Sequence, residues 1–359
     1  MKCYIIIMYM VLMLLTGCSG QQTGWQTGDV ILVRAIGVDR LDTGVRISAA
    51  AGRSGSDVPV PALQADGVSV ADGVRELGTK GDGFVHLGHA NQLLMGEAFV
   101  QDGAGPLLDF IARDRQIGPG ARLWVLQGGT AEQGVAGDVA ADVSARLERL
   151  AEAGGGAGPE IECTATRLMS AMARRGSVPV PALRWEGDTL QPVGYAVLRQ
   201  GRLVGFLDRE QSLGVELLCG RGANQVVTAT LSNGERIGLR TKRTDVLCTP
   251  NIRNGRLQNV EVRCTASLDV VQGGSLTTQQ RQQVVQQVEL ELCRRMAGAL
   301  AFAQFWNADF IDMEQMVRSG CSAREWDGVD WDTEFRTLSL RAAADIRVAW
   351  PPDMMEEEG

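Results

Sequence analysis

The chain has 359 residues, of which 45% are hydrophobic and 22% are charged. This composition is ordinary for globular proteins, and the length allows two or three domains with cores of their own. The formal net charge is −8 at pH 7, which argues against nucleic acid as a partner, because a phosphate backbone favours clusters of Lys and Arg. An acidic chain also has no electrostatic attraction to an anionic membrane surface.

The first segment of the chain has the layout of a bacterial lipoprotein signal. Lys2 precedes an apolar run from Cys3 to Leu15, and small residues then lead to Cys18. The run is shorter than the ~20 apolar residues that a transmembrane helix needs, so residues 1–17 are predicted to be a cleaved export signal. Cys18 would then begin the mature protein and carry the lipid. An ordinary secretory signal with a chance cysteine is the alternative.

The predicted N-terminal region covers residues 29–190, as one or two subdomains. Residues 18–28 before it are rich in Gly, Gln and Thr, which is typical of a tether. The region opens with a predicted hairpin that turns at Asp42-Thr43-Gly44. Short helices and strands follow. The helices are predicted at Val68–Leu77, Pro106–Ala112 and Val143–Leu150, and the strands at Phe84–Met95 and Leu123–Leu126.

Glycine-rich and proline-rich segments in this region are predicted to be linkers. Gly154 to Pro159 follows a helix and lacks the lysine of a phosphate-binding loop, so a nucleotide site is not indicated. The hexapeptide VPVPAL occurs at Val58–Leu63 and again at Val178–Leu183. Because proline at every second position removes ladder donors, we expect both copies to be extended and exposed, not central strands. A duplicated half-domain is the alternative.

The C-terminal domain, residues 191–352, is predicted to combine an antiparallel sheet with a long amphipathic helix. Asn254-Gly255 indicates a tight hairpin turn. The strand that follows it, Val260–Val270, alternates cleanly between apolar and polar residues, which is typical of a half-buried strand. The whole chain is therefore predicted to be a multi-domain α+β protein.

The longest predicted helix runs from Thr277 to Gln304, and its other face is rich in glutamine. Its apolar residues recur every three to four positions. They are Val285, Val288, Leu292, Met296, Ala299 and Phe302. A further helix over Asp309–Arg318 and a final alternating strand over Leu338–Val348 complete the predicted domain.

Cysteines number eight, of which Cys3 would leave with the signal and Cys18 would carry lipid. The other six contain no CxxC pair, so a zinc ribbon or thioredoxin-type motif is not indicated. An even number of cysteines in an exported protein permits disulfides. We favour buried free thiols, because Cys264 lies on the apolar side of a strand and Cys293 lies within a helix. The six are Cys163, Cys219, Cys248, Cys264, Cys293 and Cys321.

The residue pattern offers no positive indication of catalysis. The two histidines, His86 and His89, lie in a predicted strand, where a three-residue spacing places them on opposite faces. No third metal ligand can be named, so we interpret both as structural. Gly52 to Ser56 lacks the final glycine of a nucleophile turn. The acidic and aromatic cluster from Trp326 to Glu334 is typical of a solvated loop, with sugar binding as the alternative.

Several segments of the chain resemble the motifs of one known family and occur in the same order, after a cysteine placed like Cys18. They are Ile36–Asp39, Gly88-His89 with Leu93–Glu97, Leu107–Asp114, Gly194–Val197 with Arg202–Leu207, and Asn307–Phe310 with Trp331 and Glu334-Phe335. The family is the Ger(x)C spore-germination lipoproteins, which are the C subunits of nutrient (germinant) receptors. The chain departs from the family pattern at Arg113–Gly118 and in its six mature cysteines.

The resemblance implies a subunit without catalytic activity or a cofactor. It would be lipid-anchored through Cys18 on the outer face of the spore inner membrane. Its partners would be an A-type subunit and a polytopic B-type subunit. Such complexes respond to amino acids, sugars or nucleosides and trigger release of ions and dipicolinate. The implied fold is multi-domain and mixed α/β, with a larger C-terminal domain.

Two other classes of function remain open from the sequence. An extracytoplasmic solute-binding lipoprotein would have two similar α/β lobes around a cleft. The antiparallel C-terminal strands argue against it. A cell-wall hydrolase ranks last, because no catalytic constellation is found.

Overall fold

A computed structural model describes residues 30–53, 62–136, 143–154, 158–174, 176–187, 189–253 and 256–352. In these residues the chain forms two sheets, one of nine strands and one of four. Helices pack on both. The predicted α+β class, with a C-terminal sheet and a long helix, is confirmed.

The first sheet has the order β3-β2-β1-β5-β6-β7-β8-β9, with β4 beside β1. Strands β1, β5, β6 and β7 run parallel in its centre, and antiparallel strands flank them on both sides. The strands are β1 Val30–Leu41, β2 Gly44–Arg53, β3 Leu63–Gly67, β4 Phe84–His86, β5 Gln92–Gly96, β6 Arg122–Leu126, β7 Ser177–Glu186, β8 Thr189–Arg199 and β9 Arg202–Phe206. The predicted domain border after residue 190 falls within β8, and that division stays a prediction.

Helices cover both faces of this sheet. They are α1 Val70–Leu77, α2 Glu97–Asp102, α3 Gly105–Asp114, α4 Ala131–Ala136, α5 Val143–Ala153 and α6 Ala165–Ala173. The two faces form separate cores, so the neighbours Leu93 and Leu94 of β5 are buried in different clusters. This follows from the alternation of side chains along a strand. A parallel centre buried on both faces is the usual arrangement for such sheets.

The second VPVPAL segment forms a buried strand, and the expectation of an exposed linker was wrong. Val178–Leu183 lies within β7 and pairs with β8, so that Pro179 stands opposite Val197 and Pro181 opposite Tyr195. The ladder with β6 begins only at Ala182. Neither proline is therefore required to donate a hydrogen bond on that side. The first copy lies mostly outside the described residues.

The second sheet has the order β10-β11-β12-β13. Its strands are β10 Val226–Thr230, β11 Arg236–Arg253, β12 Arg256–Gln272 and β13 Ser339–Ala349. The predicted hairpin between β11 and β12 is confirmed, although its turn, Asn254-Gly255, lies outside the described residues. The final strand forms as predicted but runs parallel to β12. This direction is possible because a long helical connection separates the two strands.

Helices α7 Arg209–Leu218 and α8 Thr278–Phe305 belong to the second half of the chain, followed by α9 Met313–Ser319, α10 Ala323–Trp326 and α11 Trp331–Glu334. A capping box of Thr277 and Gln280 starts α8. Its buried seam begins at Val284 and not at the predicted Val285. The predicted helix at Asp309 begins later, at Met313. The Asp309 carboxylate instead accepts hydrogen bonds from the Met313 and Glu314 N–H groups at 2.8 and 2.7 Å.

Helix α8 engages both edge strands of the second sheet. At β10, the Gln287 amide accepts from Thr230 N–H and donates to Thr230 O, both at 2.9 Å. At β13, the Glu289 carboxylate accepts from Ile346 N–H at 3.3 Å. Open strand edges favour pairing with other chains, and these contacts satisfy part of each edge within the chain. Within the described parts of the chain, no helix is both long enough and apolar enough to span a bilayer.

Candidate functional site

A line of buried polar side chains connects the first sheet to the second half of the chain. It begins at β8, where the Tyr195 hydroxyl donates to Oε1 of Glu216 on α7 at 2.7 Å. The Glu160 N–H donates to the same oxygen at 3.3 Å. The other carboxylate oxygen accepts from the Gln225 side chain at 3.0 Å. Both oxygens of Glu216 are thus occupied by donors from the chain.

The line continues from Gln225 to the long helix. Arg295 of α8 donates from Nη1 to Oε1 of Gln225 at 3.3 Å. Its Nε donates to Glu291 at 2.9 Å and to Glu210 of α7 at 3.2 Å. A charged group that is removed from water must be paired to be tolerated. Each side chain in this line donates a hydrogen bond to the next or accepts one from it. These hydrogen bonds join β8, α7 and α8.

Burial dominates the electrostatics of the Tyr195–Glu216 pair. The side chains are 1% and 3% exposed. Loss of solvation raises the pKa of Glu216, and the hydrogen bond from Tyr195 acts against that rise. Loss of solvation and the nearby carboxylate together raise the pKa of Tyr195 well above its ordinary value. Both side chains are already engaged by hydrogen bonds from the chain itself, so the arrangement suits a structural junction.

Local sequence explains how β8 comes so close to α7. Gly194 has a φ of +120°, and a Cβ at this position would overlap the Ser212 side chain. Asp208 and Gln211 form a capping box that starts α7 directly after β9. The segment Gly194–Val197, noted in the sequence for its family resemblance, therefore brings the Tyr195 hydroxyl to the helix.

A second buried carboxylate lies at the carboxyl ends of the central parallel strands. Asp39 of β1 accepts hydrogen bonds from Ala131 N–H at 2.7 Å and Glu132 N–H at 2.8 Å, at the start of α4. A Cβ on Gly96 would overlap Oδ1 of Asp39. Burial raises the pKa of Asp39, and the two backbone N–H groups oppose that rise. Open α/β sheets often bind ligands at this edge, whereas here the carboxylate caps the chain's own helix.

Cys18, the predicted lipidation site, lies outside the described residues, and its role stays a prediction. The two histidines are exposed, and their ring centroids lie 5.6 Å apart. The prediction of opposite faces was wrong, because β4 ends at His86 and a turn brings His89 back. Among the described residues, no group of three or more potential ligands could hold a metal ion.

The acidic and aromatic cluster separates into two parts. Trp331 is buried and stacks on Phe335, with ring centroids 5.2 Å apart. Asp327, Asp330 and Asp332 are exposed. The aromatic residues are thus part of the second core, and the carboxylates form a solvated rim.

The sequence favours buried free thiols, and all six cysteines of the folded region are free. Cys163, Cys248 and Cys264 are buried, whereas Cys219, Cys293 and Cys321 are only partly buried. Loss of solvation raises the pKa of the Cys163, Cys219 and Cys264 thiols to about 12 and that of Cys248 to about 11. Since the thiolate is the reactive form, these side chains are poor nucleophiles.

Sequence reasoning missed most of the polar line. Tyr195 stood in a noted segment, but Glu216, Gln225 and Arg295 did not. The available signal was the presence of charged residues on the otherwise apolar faces of α7 and α8.

Two protein-family models match the chain. A family model described as the spore germination protein N-terminal domain matches residues 28–181. A second, described as spore germination B3/GerAC like, C-terminal, matches residues 193–349. The chain belongs to the Ger(x)C family of spore germination proteins. The resemblance seen in the sequence is confirmed.

Among solved structures, the chain is similar to the crystal structure of the GerBC protein. The TM-score is 0.60 at 16% sequence identity, and the match covers 87% of this chain and 96% of that one. At this identity the likeness shows a shared Ger(x)C fold. No curated protein matches the chain in sequence.

Proposed function

We propose that the chain is the lipid-anchored, non-catalytic C subunit of a germinant receptor and is needed for nutrient-triggered spore germination. The observation that carries this proposal is the pair of family matches, which together span residues 28–181 and 193–349. The family supports a component of a germinant receptor complex at the spore membrane. The proposed partners are the A-type and B-type subunits.

Anchoring through Cys18 is the second part of the proposal. A single acyl chain gives only marginal membrane binding, and two or more make it stable. Bacterial lipoproteins carry at least a diacylglyceryl group on the cysteine. The lipid would therefore hold even an acidic chain, with a net charge of −8, on the outer face of the spore inner membrane without a basic patch.

The buried carboxylates support a non-catalytic role. Asp39 and Glu216 are the most fully buried acidic side chains of the described residues, and both accept hydrogen bonds from the chain itself. The carboxyl of Asp309, which burial also affects, likewise accepts from the chain's own N–H groups. A general acid or base needs access to its substrate. The carboxylates of Asp39 and Glu216 instead join parts of the fold.

The test is fractionation and co-isolation from spores. Cys18→Ser is expected to move the chain out of the membrane fraction, whereas Cys3→Ser, a matched change within the predicted signal, is expected to leave it there. The unmodified chain is expected to co-isolate with tagged A-type and B-type subunits. Wild-type partition of Cys18→Ser would mean that protein partners also hold the chain at the membrane, and the same result in spores that lack the A-type and B-type subunits would contradict lipid anchoring. No co-isolation of the unmodified chain with either subunit would contradict the proposed partners.

The solute-binding alternative requires two similar lobes. The sheets instead have nine and four strands with different orders, which argues against it. A cleft of about 490 Å³ lies between β8 and α7, and its lining includes Tyr195, Glu216, Arg209 and Ser212. This cleft keeps the alternative worth testing. Isothermal titration of the purified chain with candidate nutrients would separate the classes, since saturable micromolar binding would favour a solute-binding protein.

A further inference from the structure

The long helix α8 carries exposed apolar residues on the side opposite its buried seam. Its buried seam packs into the second core. On the outside, exposed residues recur every three to four positions along the second half of the helix, which defines the outer face of α8. They are Leu290, Arg294, Ala297, Ala301 and Phe305. Exposed apolar residues that cluster on one face of a helix mark a candidate interaction surface.

The exposure at both ends of this outer face is large. Leu290 is 74% exposed and Phe305 is 75% exposed, and Trp306 beside it is 41% exposed. The rings of Phe305 and Trp306 meet edge to face with centroids 5.1 Å apart. Exposed aromatic side chains beside other exposed apolar residues are typical of protein interfaces.

Charge within the outer face is already neutralised. Arg294 is the charged member, and its guanidinium contacts Glu291 at 2.9 Å and Glu210 at 2.7 Å. A binding partner therefore meets a paired guanidinium between Leu290 and Ala297, and apolar residues with the small side chains of Ala297 and Ala301 from there to Phe305. An open groove of about 760 Å³ runs beside the first half of the outer face, with Val226 of β10 among its lining residues.

The dimensions of the outer face suit one helix. Residues 290 to 305 span ~22 Å at 1.5 Å per residue, and a helix is ~10 Å across. The resulting footprint of roughly 220 Å² is well below the ~800 Å² per partner of a stable interface that stands alone. A dimer of this chain held by the outer face alone would be too weak. A single helix of a protein that is already held nearby fits better.

The residues around the outer face of α8 also indicate which charge a bound helix would carry. The segment 327–336 abuts the C-terminal end of α8, where Asn307 donates to Asp332 O at 3.3 Å and Gln304 donates to Phe335 O at 2.9 Å. It carries four carboxylates against one guanidinium, that of Arg336. A second copy would bring two such segments together, which like charges disfavour. A basic side chain on the bound helix would be attracted.

We propose that the outer face of α8 docks one amphipathic helix of another receptor subunit, with its apolar side on Ala297, Ala301 and Phe305 and a Lys or Arg beside Asp332. This rests on the proposed function, since it takes a receptor complex as the source of the partner.

The first test is photocrosslinking in spores that carry the full chain. A photoreactive phenylalanine analogue replaces Ala301, and the matched control carries it at Gln286, an exposed residue in the polar half of the same helix. We expect an adduct with the tagged A-type or B-type subunit from position 301 and not from position 286. An adduct between two copies of the chain, an adduct with lipid only, or equal adducts from both positions would overturn the proposal.

The second test introduces charge and bulk. Ala301→Arg is expected to lower the co-isolated partner subunit by at least about tenfold, whereas Gln286→Arg leaves it unchanged. Equal melting temperatures of the two variants exclude misfolding. Asp332→Asn tests the proposed contact with a Lys or Arg of the partner, and it is expected to lower the co-isolated partner subunit by less than Ala301→Arg does. Normal co-isolation of Ala301→Arg would overturn this docking surface and leave the proposed function intact. Failure of the unmodified chain to co-isolate with either subunit would overturn both.

Discussion

The hydroxyl group of Tyr195 donates a 2.7 Å hydrogen bond to the carboxylate of Glu216. The same hydroxyl oxygen accepts from Ile161 N–H at 3.1 Å. One side chain of β8 thereby connects the first sheet, the segment before α6 and helix α7. All three residues are buried, so loss of the hydroxyl leaves the Ile161 N–H without this acceptor and removes the shorter of two hydrogen bonds to Oε1 of Glu216.

We expect Tyr195→Phe to lower the free energy of unfolding by about 1–3 kcal/mol, the range for an orphaned buried polar group. Urea unfolding of the purified chain measures this loss. A double-mutant cycle with Glu216→Gln isolates the pair, and a coupling energy of about 0.5–3 kcal/mol is expected for residues in contact. Additive effects of the two substitutions would show that the hydrogen bond contributes nothing of its own.

Tyr195 also provides a spectroscopic signal. The chain has three tyrosines, at positions 4, 9 and 195, so removal of residues 1–17 leaves Tyr195 alone. Its pKa is raised well above the ordinary value of 10.0 by burial, and the stability linked to it is lost as pH rises above that value. Tyrosinate absorbance should therefore appear together with the loss of far-UV circular dichroism. Ionisation near pH 10 in a chain that is still folded would contradict the burial of this hydroxyl.

A second pH dependence follows from Asp309, which caps α9. Burial raises the pKa of its carboxyl from 3.8 to about 6. The folded chain therefore binds this proton more tightly than the unfolded chain does. Its contribution to stability is complete below about pH 4 and is lost as pH rises to about 6, by up to about 3 kcal/mol.

Asp309→Asn removes this titration. The difference in unfolding free energy between the wild type and this variant should shift against the wild type from pH 4 to pH 7. Denaturant unfolding at several pH values measures it, and a difference that does not change with pH would show that the carboxyl titrates normally.

The thiols offer a test of burial. Cys163 and Cys264 are buried, and their pKa values are raised to about 12. Alkylation of the native chain near pH 8 should leave both unmodified, because the thiolate is the reactive species. Cys321 is only partly buried and serves as the internal comparison. Peptide mass mapping before and after unfolding gives the result, and rapid native labelling of Cys264 would contradict the described core.

Local patterns predicted the local structure well. The hairpin of β11 and β12 follows from Asn254-Gly255 and from the alternation after it, which are signals within a few residues. Thr277 and Gln280 similarly mark the start of α8. The parallel direction of β13 could not be predicted, since alternation is the same in parallel and antiparallel strands.

Long-range relationships were beyond the sequence patterns. Arg295 and Gln225 are 70 residues apart, and no spacing rule brings them together. The prolines of β7 misled the prediction because a missing donor matters only where a neighbouring strand needs it, and β6 pairs only from Ala182 onwards. His86 and His89 meet because a strand ends between them, and strand ends are poorly marked in sequence.

The most direct measurement is germination of spores with an in-frame deletion of this chain. Dipicolinate release would be followed after a panel of amino acids, sugars and nucleosides, with external calcium-dipicolinate as the bypass and the wild-type chain as complement. A receptor subunit predicts loss of the response to particular nutrients, an intact bypass and restoration by the complement. A full response to every nutrient, in spores that lack other receptors of this family, would contradict the proposed function.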